Sequence, residues 1–268
     1  MKAKIIAGML AILTAFGGAR SIAAAESFAG YAYDMSSGAL LFREAHYRYA
    51  TDDMPQQLVL YRCTDGRPFA RKLTRDDGDA QAPDFDLIDA RLNYHEGVRR
   101  RGNQREVYVQ RSADLPEQAQ PLAVPPDGVI DVGFDEFARR HWNELAAGKT
   151  LSLPFLVPSR RVFYSFKAKQ DNAISAATLT VRLSLGAWYA FLLPHIDVIY
   201  DRASRRLLRY EGLSNIRNAE GKSYNVRIEF PGAAAPATPE QIDAALTAPL
   251  TASCAVVHAD TAMPASGR

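Results

Sequence analysis

Cysteine is scarce in this chain. Cys63 and Cys254 are the only two in 268 residues, which excludes a cysteine-rich metal module or a multiply stapled scaffold. Their spacing leaves open whether they pair with each other. Histidine is also sparse. His46, His95, His141, His195 and His258 include no pair at metal-ligand spacing on a helix. Long apolar runs are missing as well. The run Ile5–Phe16 falls short of the roughly 20 apolar residues a spanning helix needs.

An excess of one charge is absent too. The chain carries 32 basic and 30 acidic residues, a formal charge of +2. Nucleic-acid binders usually show a strong basic excess, so no nucleic-acid partner is expected. The basic residues are mostly arginine, a composition that a GC-rich genome explains without a ligand. The run Arg99-Arg100-Arg101 with Gly102 and Arg105 reads as an exposed hairpin tip.

The amino terminus has the order of a secretory signal. Lys2 and Lys4 precede the apolar run, and Ala23-Ala24-Ala25 follows it. The expected cut lies after Ala25, leaving Glu26 as the new terminus. Losing Lys2, Lys4 and Arg20 reduces the 32 basic residues to 29, against 30 acidic. The expected organisation is a signal peptide at 1–25, one β-rich domain at 26–248 and a disordered tail at 249–268. The expected location is the periplasm, with the extracellular space as the other destination.

Alternation of apolar and polar residues dominates the rest, and it marks strands with one buried face. Leu179, Val181, Leu183 and Leu185 alternate with Thr180, Arg182 and Ser184, and Tyr224, Val226, Ile228 and Phe230 with Asn225, Arg227 and Glu229. Val162, Tyr164 and Phe166 line another strand. Further strands are expected at 28–34, 39–49, 57–63, 68–74, 85–92, 104–111, 195–201 and 205–212. The fold class is therefore mainly β: a large curved antiparallel meander of about ten strands, an open or half barrel. One helix interrupts it, with Phe134, Phe137, Ala138, His141, Trp142 and Leu145 at helical spacing and Gly148 as its stop. It is expected to pack against the concave face or mouth. A weaker helix is expected from Pro239 to Leu246, and the Pro-rich segment 113–127 as a loop. An outer-membrane barrel is disfavoured, because strand 39–49 carries charge on both faces.

Catalytic motifs are incomplete. Gly212-Leu213-Ser214-Asn215-Ile216 ends in Ile where a nucleophile elbow needs Gly. Gly148-Lys149-Thr150 lacks the first glycine of a phosphate loop, since position 143 is Asn143. Glu44 and His46, at i and i+2, share one strand face and form a candidate acid/base pair. The acidic stretch from Asp76 to Asp89 departs from calcium-loop spacing. The chain leans away from an enzyme. The candidates for a hydrolase are Glu44, His46, Glu211, Ser214 and Asn215, provided folding gathers them. No cofactor and no metal are expected.

Three segments carry a resemblance: Phe134-Asp135-Glu136-Phe137 through Trp142, Pro154 to Arg160, and Ile196-Asp197-Val198 through Tyr210-Glu211-Gly212-Leu213-Ser214-Asn215-Ile216. Together they resemble a family of exported proteobacterial proteins of unknown function. The resemblance implies an envelope location and no catalytic residues. The architecture is also similar to the unclosed barrels of periplasmic lipid and lipoprotein carriers. The curved sheet with its aromatic helix points to a periplasmic binding or chaperone-like protein for an apolar ligand, with Phe134, Phe137 and Trp142 in an apolar cleft toward an acyl chain and Arg160 and Arg161 toward an anionic headgroup. The expected partner is a lipid or a lipidated protein. The alternatives are an envelope hydrolase and a structural envelope protein without a small ligand.

Overall fold

The computed structural model describes residues 22–76, 78–171, 175–186 and 195–254. The charged and apolar parts of the expected signal, His258 and the end of the expected tail lie outside them. The first eight strands form one continuous meander: β1 (Ile22–Asp34), β2 (Leu40–Thr51), β3 (Met54–Arg62), β4 (Pro68–Arg75), β5 (Asp84–Asp89), β6 (Tyr94–Arg101), β7 (Gln104–Gln110) and β8 (Gln118–Pro121). Helices α1 (Gly133–Arg140) and α2 (Trp142–Ala146) follow. The chain then returns through β9 (Leu151–Val157), β10 (Val162–Gln170), β11 (Thr178–Leu185), β12 (Ile196–Asp201), β13 (Leu207–Arg217) and β14 (Ser223–Glu229). β14 pairs with β1, which places the first strand in the middle of a single antiparallel sheet with β8 and β9 at its edges. β15 (Ala235–Pro236) also pairs with β1, and α3 (Pro239–Thr247) completes the fold.

The described residues thus contain fifteen strands where alternation suggested about ten. The short strand β8 lies inside the segment expected to be loop, and β9 went unrecognised because Pro154 interrupts its pattern. The β2–β3 turn uses Asp52 and Asp53, both at positive φ (51° and 60°). That is the backbone a two-residue hairpin requires, supplied here without glycine. At the β6–β7 tip Gly102 takes φ 62°.

Twist curls the sheet until its edges approach. No ladder joins β8 to β9. Instead Arg111 Nη2 donates to the Ser159 carbonyl (2.8 Å), and Gln120 Nε2 donates to the Arg161 carbonyl (2.8 Å). One face is therefore concave, and it holds two clusters that share Leu207 and Tyr210. The first packs Phe42, Val59, Tyr61, Phe85, Leu87, Val98, Val107, Val226 and Ile228. The second packs Phe134, Phe137, Trp142 and Leu145 against Leu153, Ala168, Leu179, Val181 and Val198. The predicted helix thus covers the concave face beside β9–β12. It is broken at His141 (φ −99°, ψ 18°) into two pieces.

α3 lies on the opposite face, where Ile242 and Ala245 pack on Tyr49, Leu58 and Leu60. Its amino end is closed by a capping box between Thr238 and Gln241. Beyond it Thr251 N donates to the Pro68 carbonyl (2.8 Å), and Cys254 is bonded to Cys63. The tail expected from 249 is therefore anchored as far as Cys254.

Candidate functional site

The concave face is not uniformly apolar. On β2 the residues sharing the inner side with buried Phe42 are Glu44 and His46. The register carries that side outward through Tyr61 and Lys72 to Asp89, Tyr94 and Glu96. Glu44, Lys72, Asp89 and Glu96 are all buried. Buried charges need partners, and each of these has one.

The centre of the layer is Asp131, which stands between β8 and α1 at φ 48°. Lys72 Nζ donates to both of its oxygens, at 2.9 and 2.7 Å. Asn215 Nδ2 donates to Oδ1 at 2.9 Å. One carboxylate thereby ties the crossover to β4 on one side of the cradle and β13 on the other. Neighbouring backbone reinforces the position, because Ile130 N donates to the Gln81 carbonyl and Val129 bridges Phe155.

The other groups form separate sets. His46 Nε2 lies 2.7 Å from Glu44 Oε2, and Gln57 Nε2 meets His46 Nδ1 at 3.3 Å. Asp89 receives Arg91 through both oxygens, at 3.0 and 2.6 Å, and the Arg91 guanidinium lies over the Phe69 ring. Glu96 accepts the Tyr94 hydroxyl at 2.5 Å, and Arg217 Nη2 donates to that hydroxyl oxygen at 3.0 Å. Burial holds the Glu96 carboxyl above its ordinary range, and the Tyr94 bond and the Arg217 charge offset that only in part. Burial also drives Tyr61 and Tyr210 well above the usual phenol range, with Glu44 and Asp131 adding to the effect at both. Neither phenol is a base at neutral pH.

The five hydrolase candidates do not converge. Glu44 and His46 are paired as expected. Asn215 belongs to the Asp131 cluster instead. Ser214 Oγ accepts the Ile216 N–H at 3.0 Å, a local turn contact within β13. Glu211 pairs with Arg209 at 3.0 Å on the far face of the sheet. No three of the five meet within hydrogen-bond reach.

The ligand candidates are placed as follows. Phe134, Phe137 and Trp142 are buried in the second cluster, and the Trp142 ring meets Tyr200 edge-on. Arg160 and Arg161 occupy the turn between β9 and β10 at the sheet edge, where Arg160 is exposed. Two open clefts lie elsewhere on the described surface. One, of about 420 Å³, is bordered by Thr180, Ile199, Arg206 and Arg209. The other, of about 440 Å³, is bordered by Asp79, Val124, Asp127 and Arg140. Among the described residues no cluster of three metal-ligating side chains is present, and no helix is long and apolar enough to cross a membrane.

Lys72, Asp131, Glu96 and Arg217 were not singled out from sequence. For Lys72 and Glu96 a signal existed. Each sits in phase with inward residues, Lys72 with Ala70 and Glu96 with Val98. A charge on the apolar phase of a strand must find a buried partner. No family model and no curated protein matches the chain.

Proposed function

We propose that this is an exported protein of the cell envelope that works through its surface, as a structural or partner-binding component without an enclosed small ligand. The observation that carries the reading is the filled concave face. The aromatics expected to line an acyl cleft are packed against β9–β12, and the inward carboxylates are committed to internal partners. A hydrolase reading lacks a convergent set of groups, and general acid/base work needs such a set within hydrogen-bond reach.

Location in the periplasm is supported by the signal-like order of residues 1–25. The Cys63–Cys254 bond fits an oxidising compartment. The β1–β2 register shifts between Ala23 and Glu26 and then runs unbroken from Glu26 to Ala32, so a cut after Ala25 leaves that stretch of the ladder intact.

The test has two parts. Delipidated protein titrated with a fluorescent fatty acid and with phospholipid should show no saturable binding, whereas stoichiometric binding would overturn the reading. Full-length chain expressed in a Gram-negative host should appear in the periplasmic fraction starting at Glu26. Retention of the intact terminus in the cytoplasm would refute export.

A further inference from the structure

The segment after β14 lies beside the bond at which the signal is expected to be cut. β1 runs as one strand through Ala25 and Glu26. On one side β2 pairs with it, Ala23 opposite Ala50 and Glu26 opposite Arg48. On the other side β15 pairs with it, Glu26 opposite Pro236 and Ser27 opposite Ala235, and Ala237 N donates to the Ala25 carbonyl at 2.9 Å. The Ala25 side chain is half-buried against the cluster of Tyr49, Leu58, Leu60, Ile242 and Ala245. From Ala235 to Cys254 the chain forms a strap whose other holds are remote from the cut. Arg71 Nη1 donates to the Ala245 and Leu246 carbonyls at the end of α3, Thr251 N donates to the Pro68 carbonyl, and Cys254 is bonded to Cys63.

We propose that this strap locks the Ala25–Glu26 bond, so that the signal is removed before α3 docks and not from the folded chain. This order rests on the export reading above. A protease binds the chain it cuts as an extended strand, through backbone hydrogen bonds. Here both edges of that strand are taken, by β2 and by β15. The reaction is hydrolysis by the envelope protease that removes signals. One water adds across the amide, leaving a carboxylate on Ala25 and an amine on Glu26. In the folded chain the cut proceeds only through local opening, at a rate set by the open population. Opening requires β15 to leave β1, and the remote holds on the strap oppose it. Synthesis supplies the interval in which the bond is free, since the amino-terminal part of a chain is made first. The Cys63–Cys254 bond then follows the cut, because Cys254 meets Cys63 only with the strap in place.

The test uses the full-length chain in detergent, refolded with its disulfide formed, beside the same chain diluted from urea directly into protease. Two proteases are applied: a purified signal peptidase, and elastase, which cuts after small residues. The fragment beginning at Glu26 is followed by mass spectrometry. It should form at least about a hundredfold more slowly from the folded chain, as expected for a bond reached only by opening. Cys63→Ser and Cys254→Ser combined with Ile242→Asp puts a charge where α3 is fully buried and frees the strap. With its near-ultraviolet circular dichroism retained, that variant should regain at least about tenfold in rate. Equal rates from folded and unfolded wild-type chain overturn the proposal. A folded variant as resistant as wild type would assign the protection to the β1–β2 ladder and overturn the role of the strap. Failure of signal peptidase on the unfolded chain would refute the export reading, and the elastase comparison would still decide the lock.

Discussion

The Tyr108 hydroxyl occupies the space in which a side chain on Gly97 would begin. The two residues are opposite each other on β6 and β7, and an added Cβ at Gly97 would run into that hydroxyl and the Phe85 carbonyl oxygen. The hydroxyl needs the room because it donates to Asp86 Oδ1, which also meets His95 Nε2. Gly97 is thus fixed by space, with no positive φ involved.

Gly97→Ala is therefore expected to destabilise the protein by about 1–3 kcal/mol, the usual cost of overpacking. Urea denaturation of the variant beside Tyr108→Phe separates the effects. If Gly97→Ala leaves the midpoint unchanged, the close packing described here is incorrect.

The Cys63–Cys254 bond spans 191 positions and holds the segment after α3 against β4. Its removal is expected to cost about 2–5 kcal/mol. Cys63→Ser with Cys254→Ser should lower the denaturant midpoint and make the chain near α3 the first site of limited proteolysis. Equal midpoints with and without reductant would show that the bond contributes nothing.

Breaking a buried ion pair from one side leaves an uncompensated charge. Lys72→Met should accordingly lose about 3–5 kcal/mol. The double variant Lys72→Met with Asp131→Asn should recover much of that loss, because Asn tolerates the positive φ at 131. A double-mutant cycle gives the coupling, and simple additivity would contradict the paired geometry.

Two carboxyls should bend the stability curve in opposite directions. Burial raises Asp86, but the hydrogen bonds from His95 and Tyr108 outweigh it and hold the group below its ordinary 3.8. Its contribution is present above 3.8 and lost as pH falls through the lower folded value. Glu96 is raised above 4.5 by burial, so its contribution is complete below 4.5 and lost as pH rises through the folded value. Asp86→Asn should flatten the acid limb measured by denaturation across pH. Glu96→Gln should remove the loss of stability on the rising side. The same slope in wild type and both variants would refute these assignments.

Much of the architecture was legible as alternation. Leu179 to Leu185 fall on β11 and Tyr224 to Glu229 on β14, with Phe230 just past its end, and the helix at 134–145 appears where its spacing placed it, apart from the break at His141. Glu44 and His46 could be paired by eye, since i and i+2 on a strand always share a face. Asp131 offered no such cue. It lies in a connection, 59 positions from Lys72 and 84 from Asn215, and no local period links the three.

The order of residues by itself determined that the chain is mainly β, where most of the strands lie, which side faces inward in strands such as β11 and β14, and that so large a sheet must curl; on β10 it did not, since Val162 and Tyr164 are exposed. These follow from steric and solvent preferences acting over a few neighbours. Only the tertiary structure decided that the inward helix aromatics are packing, that Cys63 meets Cys254, and that Asp131 joins both walls of the cradle. Those outcomes depend on how far the sheet curls, a sum of small twists over many strands that no local window contains.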